Sequence, residues 1–433
     1  FKMREVNGGK DVNSQVMKKV LRHLPKYCEA FLQDPGLKSA WTTRPDLILL
    51  PAFMNECGLA FVHKFKAPFM YVTTSGLTPW TADLLGSPEN PAYVPNQYLS
   101  YGDHMTLWER TVNTLVRLAS PYLRKHLVLN KLDGVVQRVL GDSTVSLSEL
   151  EKNVSMVLVN SHYSLGHPRP LMPNVVEVGA MHCRPARPLQ DKALREFIDS
   201  SPVPVVLFSL GSTIRSEQMP ATVRDSLVAA FRRLPYRVVW KWEGAALTNL
   251  PPNVMTRPWL SQQDVLGHKN VRAFVTHGGL LSLQEAVYHN VPVVGMPLMS
   301  DQHLNVRQAV TLGLGRQLTV ESLSEDAVYD AITSVVEEPG FQERVGSGHA
   351  CCGTRRPPLW SAPCTGASTC CAMAALNICA QWLPTCRCTS TCWWTWRPCW
   401  WRRQWWWCCC CGGHCGQRLV VSFGDSRRLQ GSC

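Results

Sequence analysis

The sequence predicts an α/β fold of two facing Rossmann-type domains, each with a parallel sheet. Apolar, β-rich segments alternate with segments of helical composition through residues 1–345, and this alternation favours parallel strands joined by right-handed crossovers. Glycine turns directly follow two of the apolar segments, as they do at the phosphate sites of such folds. A ligand would lie in the cleft outside the carboxyl ends of the strands.

Residues 1–185 are predicted to form an incomplete N-terminal domain. In chain order, the predicted elements are a helix at 12–31, a strand at 46–50, a helix at 55–64, a strand at 70–73, a loop-rich segment at 79–102, a mainly helical stretch at 107–140 and a strand at 156–160. The strands are short and apolar, as in a sheet that is buried on both faces. The segment 185–199 is interpreted as an interdomain connection that leads into a helix.

Residues 186–345 are predicted to form a second domain. Its predicted elements are a strand at 203–209, a helix at 219–234, a strand at 237–242, a strand at 272–276, a helix at 282–289 and a strand at 291–296. The first of these strands ends in the turn Leu210-Gly211-Ser212, which has the strand-to-turn pattern of a phosphate site. A second turn of this kind occurs later in the domain.

That second turn, His277-Gly278-Gly279, joins the strand at 272–276 to the helix at 282–289. Glycine allows a tight turn and a close approach of the backbone to a ligand. The free N–H groups and the positive dipole end of the helix then face the turn and favour a phosphate. Taken alone, two glycines after a strand are weak evidence, and His277 could simply cap the turn.

Three polar residues further along extend this predicted ligand site. Glu285 lies about one turn into the helix (about 3.6 residues per turn) and is placed to bind a hydroxyl pair such as a ribose diol. Asp301 and Gln302 are predicted to follow the next strand in a loop, where their side chains could bond sugar hydroxyls. Each residue also has a structural explanation: Glu285, for example, could be an ordinary exposed helix residue.

Residues 259–305, taken as one run, resemble the signature of the UDP-glycosyltransferases. The resemblance rests on Trp259 and Gln262, the Thr-His-Gly-Gly turn, the glutamate, the Val-Pro strand and the Asp-Gln pair. It is greatest for the membrane-bound animal branch, arthropod members in particular, and extends from about Pro45 to Val345. It implies a GT-B-like architecture, with an acceptor-binding domain at 1–185 and a UDP-sugar donor-binding domain at 186–345.

The resemblance also implies a role for each donor-site residue. Trp259 and Gln262 would contact the uracil and ribose, and Glu285 would bind the ribose hydroxyls. The diphosphate would be held by Ser212, His277, Gly278 and Gly279. The sugar would be bound by Asp301 and Gln302. No metal site is predicted, because few carboxylates have metal-ligand spacing and helix N–H groups can stabilise the leaving diphosphate. No cofactor is implied: UDP-glucose or UDP-glucuronate is the co-substrate, and the arthropod-like character favours glucose.

The reaction implied is inverting, metal-independent transfer of a hexose to a hydroxyl of a small lipophilic acceptor. In the family the base is a His near the end of the first N-terminal strand, and this chain is expected to begin after that strand. His63 is interpreted as structural. The family's partner carboxylate falls near Pro51, which leaves Glu56 as the nearest catalytic candidate, with a solvated helix residue as the alternative. The rival function is therefore a catalytically inactive UDP-sugar-binding fragment.

A nicotinamide-dependent Rossmann enzyme is disfavoured, because the glycine turn lacks a third glycine and a suitably placed acid on the next strand. The loop-rich segment 79–102 is expected to form part of the acceptor pocket. By resemblance, the parent enzyme would be held in the endoplasmic reticulum membrane by a C-terminal anchor, with its catalytic domains in the lumen. Asn153-Val154-Ser155 is an N-glycosylation pattern that fits a lumenal domain. The chain as written has no signal-peptide pattern and no run of eighteen apolar residues.

The composition of the last part of the chain differs from that of the rest. The formal net charge is +12, but nine arginines against one acid lie after residue 350. No basic stripe with interleaved aromatics occurs in the body, so a nucleic-acid partner is not predicted. Cys28, Cys57 and Cys183 are the cysteines before residue 351, and the other sixteen follow. Residues 346–433 are therefore predicted to be an aberrant, unstructured tail.

The tail is interpreted as the product of a shifted reading frame. In the shifted frame, each codon consists of the last base of one written codon and the first two bases of the next. Because Trp has one codon, the steps across residues 405–411 must then give three valines and three leucines. The shifted frame permits an amphipathic helix followed by a long apolar span, like the closing helix and anchor of the family resembled. The alternatives are a disulfide or metal region, which lacks standard ligand spacing, and low-complexity disorder, which is poor in tryptophan.

Sequencing of the transcript is expected to reveal one added or missing base near codons 346–353. The same reads across codons 259–305 provide the control, since that run is expected to be unaltered. Detection by mass spectrometry of peptides from the tail as written would contradict the frameshift.

Overall fold

The computed structural model describes residues 12–353 and 420–421. Within them the strands are β1 (Ile48–Pro51), β2 (Phe69–Thr73), β3 (Met156–Val159), β4 (Val175–Glu177), β5 (Val205–Ser209), β6 (Arg237–Lys241), β7 (Val254–Arg257), β8 (Val271–Thr276), β9 (Val293–Gly295), β10 (Gly315–Gln317) and β11 (Val420–Val421). They form two sheets, of order β11-β1-β2-β3-β4 and β10-β9-β8-β5-β6-β7. The pairs are parallel throughout.

Helices connect the strands and cover the sheets. They are α1 (Val12–Leu32), α2 (Lys38–Thr42), α3 (Leu59–Phe65), α4 (Pro79–Leu84), α5 (Leu107–Arg124), α6 (Asn130–Leu140), α7 (Leu147–Leu150), α8 (Lys192–Asp199), α9 (Ala221–Arg233), α10 (Gln262–Leu266), α11 (Leu280–Tyr288), α12 (Gln302–Thr311), α13 (Glu325–Glu337) and α14 (Pro339–Gly353). A π-helical turn at Lys125–Leu129 joins α5 to α6, and short 3₁₀ turns precede several helices.

The predicted α/β fold with two parallel sheets is confirmed. β3 and β5 are buried at every position, as expected of parallel strands covered by helices on both faces. The predicted helical stretch at 107–140 corresponds to α5, the π-helical turn and α6. The division of the chain at residue 185 falls between the two sheets and stays a prediction.

An aromatic cluster forms the centre of the second core. Trp240 on β6 contacts Phe208 on β5 and Phe231 on α9 edge to face, with ring centroids 5.4 and 5.5 Å apart. All three side chains are fully buried. Aromatic pairs in this geometry stabilise a core beyond their area of burial. The cluster therefore fixes α9 against the sheet whose carboxyl edge carries the candidate site.

A disulfide and an aromatic stack join α1 and α2 to the first sheet. Cys28 on α1 is bonded to Cys57, which lies in the 3₁₀ turn Glu56–Gly58 after β1. Trp41 stacks on Phe61 of α3 with ring centroids 4.1 Å apart. Both contacts tie the N-terminal helices to the segment that follows β1, and so fix the residues around Glu56.

Glu56, Arg124 and Glu151 form a buried ion-pair network. The Arg124 guanidinium contacts Glu56 Oε1 at 3.3 Å and Glu151 Oε1 at 2.7 Å, and it lies 3.8 Å from the centroid of the Trp80 ring. Burial raises the pKa of Glu151, and the bond from Arg124 opposes that rise. Glu56 is only 7% exposed, so the alternative of a solvated helix residue is wrong. The neighbouring Cys57 and Gly58 are buried as well, so the whole 3₁₀ turn packs against the interior of the domain.

Several elements differ from the sequence prediction. The helix expected at 55–64 begins only at Leu59, and the strands β4, β7 and β10 were not predicted. In the tail, α14 continues through Gly353, and Val420–Val421 pairs with the edge of β1, whereas 346–433 is predicted to be unstructured. The open edge of β1 offers unpaired backbone groups, which accounts for the added strand. The rest of the predicted tail lies outside the described residues.

Replacement of Arg124 by alanine is expected to lower the free energy of unfolding by about 3–5 kcal/mol, because two buried carboxylates lose their shared cation. Urea denaturation followed by tryptophan fluorescence measures this change. Arg138→Ala, at an exposed position of α6, is the matched control and should change stability by less than about 0.5 kcal/mol. Equal unfolding midpoints for the two variants would show that the network contributes no stability.

Candidate functional site

The turns that follow β5 and β8 lie side by side, because these strands are neighbours in the second sheet. The imidazole of His277 fills the space between the turns. A Cβ atom on Gly211 or on Gly279 would lie 2.7 Å from a ring atom of His277, which is too close for any side chain. Gly211 also has a φ of +79°, which favours glycine. Glycine is therefore required at both positions, and His277 is enclosed between them.

α11 begins at this turn with backbone N–H groups available to a ligand. Gly279 is its N-cap residue, and no side chain of the described residues caps the helix. The first-turn amides and the helix dipole favour an anion at this place. Burial lowers the pKa of His277 to about 4, so the imidazole is uncharged at neutral pH. Ser212 is exposed in the neighbouring turn. The arrangement can hold a diphosphate at the start of α11, beside the turn that carries Ser212.

Gln262 and Glu285 are brought together by the packing of α10 on α11. Gln262 Nε2 donates to Glu285 Oε2 at 2.6 Å and lies 3.1 Å from Ser282 Oγ. Burial raises the pKa of Glu285, while hydrogen bonds from Gln262 and Gln263 and the charge of Arg184 lower it. The carboxylate is thus held by an amide at the start of α10, and it lies about one turn from the N-terminus of α11. The alternative of an ordinary exposed helix residue does not fit this half-buried, hydrogen-bonded position.

Trp259 follows β7 and presents its indole to solvent. Its exposed fraction is 63%, which is high for a tryptophan in a folded domain. Lys241 Nζ lies 5.4 Å from the centroid of the Trp259 ring and donates to the carbonyl of Gly211 at 3.0 Å. The same ammonium forms an ion pair with Glu243. Lys241 therefore links the aromatic surface of Trp259 to the turn after β5.

Gln302 lies at the start of α12 and not in the loop where the sequence places it. Its Oε1 accepts hydrogen bonds from the backbone N–H groups of Leu298 and Met299, at 2.9 and 3.0 Å. These bonds cap the segment that leads from β9 into the helix. The carbonyl half of this side chain is therefore used within the protein, and only its amide nitrogen is left for a ligand.

Asp301 is the N-cap residue of α12 and is linked to the glycine turn through Asn305. Asn305 Nδ2 lies 2.8 Å from Asp301 Oδ2 and 3.2 Å from the carbonyl of Gly278. Burial raises the pKa of Asp301, and the bond from Asn305 opposes that rise. Gly278 has a φ of +81°, and a Cβ there would lie 2.2 Å from Val306. α12 therefore packs directly on the turn and carries Asp301 to its edge.

A cleft lies between the two sheets and is lined by residues that follow strands of both. Its N-terminal wall includes residues of the loop-rich segment 79–102, namely Pro79, Glu89, Pro95, Asn96 and Gln97. The opposite wall is formed by α11 and α12 and includes Asp301 and Asn305. Residues 79–102 thus face the candidate donor residues across the cleft, where the acceptor pocket is expected.

Side chains of α11 and α12 bridge the two sides of the cleft. Gln284 Nε2 donates to the carbonyl of Asn160 at 2.9 Å, and Gln308 Nε2 donates to the carbonyl of Gly166 at 3.2 Å. Sequence reasoning missed these residues, as well as His167 and Arg169, which also line the cleft. The two prolines within residues 167–170 predict an interruption of regular structure. No local sequence pattern shows that this segment faces a helix of the second domain.

Glu56 has no direct contact with the donor residues among the described interactions and bonds instead to Arg124. Its charge and that of Asp301 nevertheless both act on Tyr98. Burial raises the pKa of Tyr98, and the charges of Asp301 and Glu56 both add to this rise. Tyr98, in the segment 79–102, therefore senses both carboxylates.

In the described part of the chain, no group of three or more His, Cys, Asp and Glu side chains is arranged to hold a metal ion. The described helices are also all too short or too polar to cross a bilayer.

Similarity to known proteins covers most of the chain. The family model for UDP-glucoronosyl and UDP-glucosyl transferase matches residues 3–347. A UDP-glycosyltransferase of Dactylopius coccus is 36% identical over 303 residues, 70% of this chain and 57% of the relative. A UDP-glucuronosyltransferase of Oryctolagus cuniculus is 34% identical over 302 residues, 69% of this chain and 56% of the relative. The chain thus spans less than two thirds of the length of these relatives.

Solved structures share the fold at low sequence identity. The glycotransferase of kitacinnamycin has a TM-score of 0.56 and 19% identity, and the alignment covers 88% of this chain and 85% of that one. The calicheamicin glycosyltransferase has a TM-score of 0.55 and 18% identity, with 87% and 86% covered. These likenesses agree with the predicted GT-B-like fold. The match of the family model to residues 3–347 shows that the chain belongs to the UDP-glucuronosyl and UDP-glucosyl transferase family.

Proposed function

We propose that this chain carries the UDP-sugar site and the acceptor cleft of an inverting, metal-independent glycosyltransferase. The enzyme moves glucose or glucuronate from UDP-sugar to a hydroxyl of a small lipophilic acceptor. The observation that carries the proposal is the convergence of Trp259, Glu285 and the His277–Gly279 turn at the carboxyl edge of one sheet. They supply an aromatic surface, a carboxylate that can accept hydrogen bonds from hydroxyls, and an anion site, which are the groups that uracil, ribose and diphosphate require.

Each group of the donor has a proposed contact. The uracil stacks on the exposed Trp259 ring, which Lys241 supports from nearby. Glu285, held by Gln262, accepts hydrogen bonds from the ribose diol. Gly278, Gly279, His277 and Ser212 hold the diphosphate, mainly through backbone N–H groups and the dipole of α11. Asp301 and the amide nitrogen of Gln302 bind the sugar hydroxyls.

The proposed chemistry relies on stabilisation of UDP as the leaving group. Negative charge develops on the diphosphate as the bond to the sugar breaks, and the preorganised amides at the start of α11 oppose that charge without a metal. The acceptor hydroxyl attacks from the N-terminal wall of the cleft, opposite the departing UDP, and gives up its proton to a general base on that wall. This attack inverts the anomeric carbon. Glu56, which is ion-paired with Arg124, stays the proposed carboxylate of the acceptor side.

A UDP-sugar-binding protein without turnover is the second candidate. Two observations favour it. Pro51 ends β1 where the family's partner carboxylate falls, and Glu56 is buried against Arg124 instead of reaching the donor residues. The donor residues do not distinguish the two candidates, because a competent UDP-sugar site is common to both.

We also propose that the parent enzyme lies in the lumen of the endoplasmic reticulum, held to the membrane by a C-terminal anchor. The Cys28–Cys57 disulfide supports an oxidising compartment. Asn153, in the Asn-Val-Ser pattern, is exposed at the end of a 3₁₀ turn, where a glycan can be accommodated.

Replacement of Glu285 by alanine is expected to weaken the binding of both UDP and UDP-glucose by about 10-fold or more, because a charge-assisted hydrogen bond to the ribose is lost. Replacement of Asp301 by alanine should weaken the binding of UDP-glucose and leave that of UDP unchanged, since its proposed contact is with the sugar. Isothermal titration calorimetry measures the dissociation constants. Asp225→Ala, at an exposed site of α9, is the control. Unchanged affinities in both site variants would refute the donor-site assignment.

Acceptor-dependent release of UDP from UDP-glucose is expected with a panel of lipophilic alcohols and phenols. Replacement of Gln97 by tryptophan should suppress this release by about 10-fold or more, because the larger side chain fills the cleft and displaces the acceptor from its attacking position. The dissociation constant of UDP should stay unchanged in this variant.

Gln33→Trp, at an exposed site after α1, is the matched control for the added bulk. UDP-glucose binding with no release for any acceptor would favour the binding-only candidate. Loss of UDP affinity in Gln97→Trp would contradict the separation of the donor and acceptor sides of the cleft.

A further inference from the structure

The segment 181–187, which links β4 to α8, is fixed against the donor side of the cleft. The Arg184 guanidinium forms two bonds to the Asp264 carboxylate, at 2.5 and 2.9 Å. The backbone N–H of Arg184 donates to Gln263 Oε1 at 2.8 Å, and Gln263 Nε2 donates to the carbonyl of His182 at 3.2 Å. These bonds hold the connector on α10, next to Gln262.

The connector places the His182 imidazole against Glu285. His182 Nε2 lies 3.1 Å from the carbonyl of Leu281 and 3.6 Å from Glu285 Oε1. Leu281 is one helical turn before Glu285, so its carbonyl lies beside the base of the glutamate side chain. Gln262 contacts the other carboxylate oxygen, Oε2. Glu285 is therefore flanked by α10 on one side and by the connector on the other.

The polar environment of His182 favours one neutral tautomer. Its Nδ1 is buried and has no hydrogen-bond partner among the described residues, whereas Nε2 lies beside the Leu281 carbonyl, the Glu285 carboxylate and, at 3.7 Å, the Sγ of Cys183. Burial lowers the pKa of His182, although the bond to Leu281 opposes this. An imidazole with its proton on Nε2 donates to the Leu281 carbonyl, while protonation of Nδ1 would bury an N–H without an acceptor. His182 is thus bonded to α11, with its ring beside Glu285.

We propose that His182 is a positioning residue that orients the Glu285 carboxylate toward a vicinal diol. This inference rests on the proposed donor site, in which Glu285 binds the ribose. Anchored at the Leu281 carbonyl, the imidazole ring lies 3.6 Å from Glu285 Oε1 and limits the movement of that oxygen on the connector side, while Gln262 holds Oε2 on the other. Both oxygens are then directed outward to accept one hydroxyl each. The residue that tunes the nucleotide site thus comes from the chain between the two sheets and not from the donor-binding helices.

The test compares UDP with 2′-deoxy-UDP, which lacks one hydroxyl of the diol. His182→Ala in the full chain is expected to weaken the binding of UDP by about 3- to 10-fold, because a Glu285 side chain that is free to move must be ordered when it binds the diol. The deoxy analogue should be weakened by less than about 2-fold, because it cannot use the oriented carboxylate fully. His182→Gln keeps an N–H near the position of Nε2 and should restore most of the UDP affinity. Titration calorimetry measures all of these constants.

A double-mutant cycle separates positioning from a general structural role. In a Glu285→Ala background, His182→Ala is expected to have no further effect on UDP affinity, since the group through which it acts is gone. His268→Ala is the control, because His268 is also half-buried nearby but bonds to Asp199. Thermal unfolding without ligand identifies any variant that loses its fold. If His182→Ala is unfolded, the ratio of UDP to deoxy-UDP affinity in His182→Gln shows whether His182 positions Glu285.

The outcomes distinguish this inference from the function on which it rests. If the unaltered chain binds no UDP, the donor site fails and the inference fails with it. If the chain binds UDP but His182→Ala weakens UDP and deoxy-UDP equally, the donor site stands and positioning is overturned. The same conclusion follows if the effects of His182→Ala and Glu285→Ala simply add.

Discussion

The enclosure of the His277 imidazole between Gly211 and Gly279 is the constraint on which the donor side of the cleft depends. The ring occupies space that side chains at both glycines would need, so two backbone turns approach each other around it. Because burial keeps the imidazole uncharged, it contributes no cation of its own. A negative ligand there must be met by the amides and dipole of α11, and the geometry of that helix start decides what can bind.

Three polar contacts across the cleft end on main-chain carbonyls of the N-terminal wall. Gln284 and Gln308, on α11 and α12, donate to backbone carbonyls that follow β3. Arg307 likewise donates to the carbonyl of Ser100 at 2.6 Å. Because the acceptors are backbone carbonyls, these contacts do not depend on the side chains of the N-terminal wall. The side chains of that wall can therefore differ while the contacts are kept. Polar interfaces of this kind also permit relative movement of the two parts.

The fold was largely predictable from the sequence, and the site only in part. Buried apolar strands and the turn at His277 have strong local signals. The strands β4, β7 and β10 are each buried at one position only, so their apolar pattern is weak. The inward use of Gln302 Oε1 depends on the geometry of the turn that begins α12. The pairing of Glu56 with Arg124 and the docking of His182 on α11 depend on segments distant in the chain. No pattern around those residues encodes such partners.

Lys241 contacts both Trp259 and the turn after β5, the proposed base and phosphate subsites of the candidate nucleotide site. Its ammonium lies near the Trp259 ring and also donates to the carbonyl of Gly211, in the turn that approaches the diphosphate. This side chain is buried and is already held by Glu243 and the Gly211 carbonyl. The proposed base and phosphate subsites would therefore share a support that is fixed before either fragment binds. Little further side-chain entropy would be lost there when a nucleotide binds.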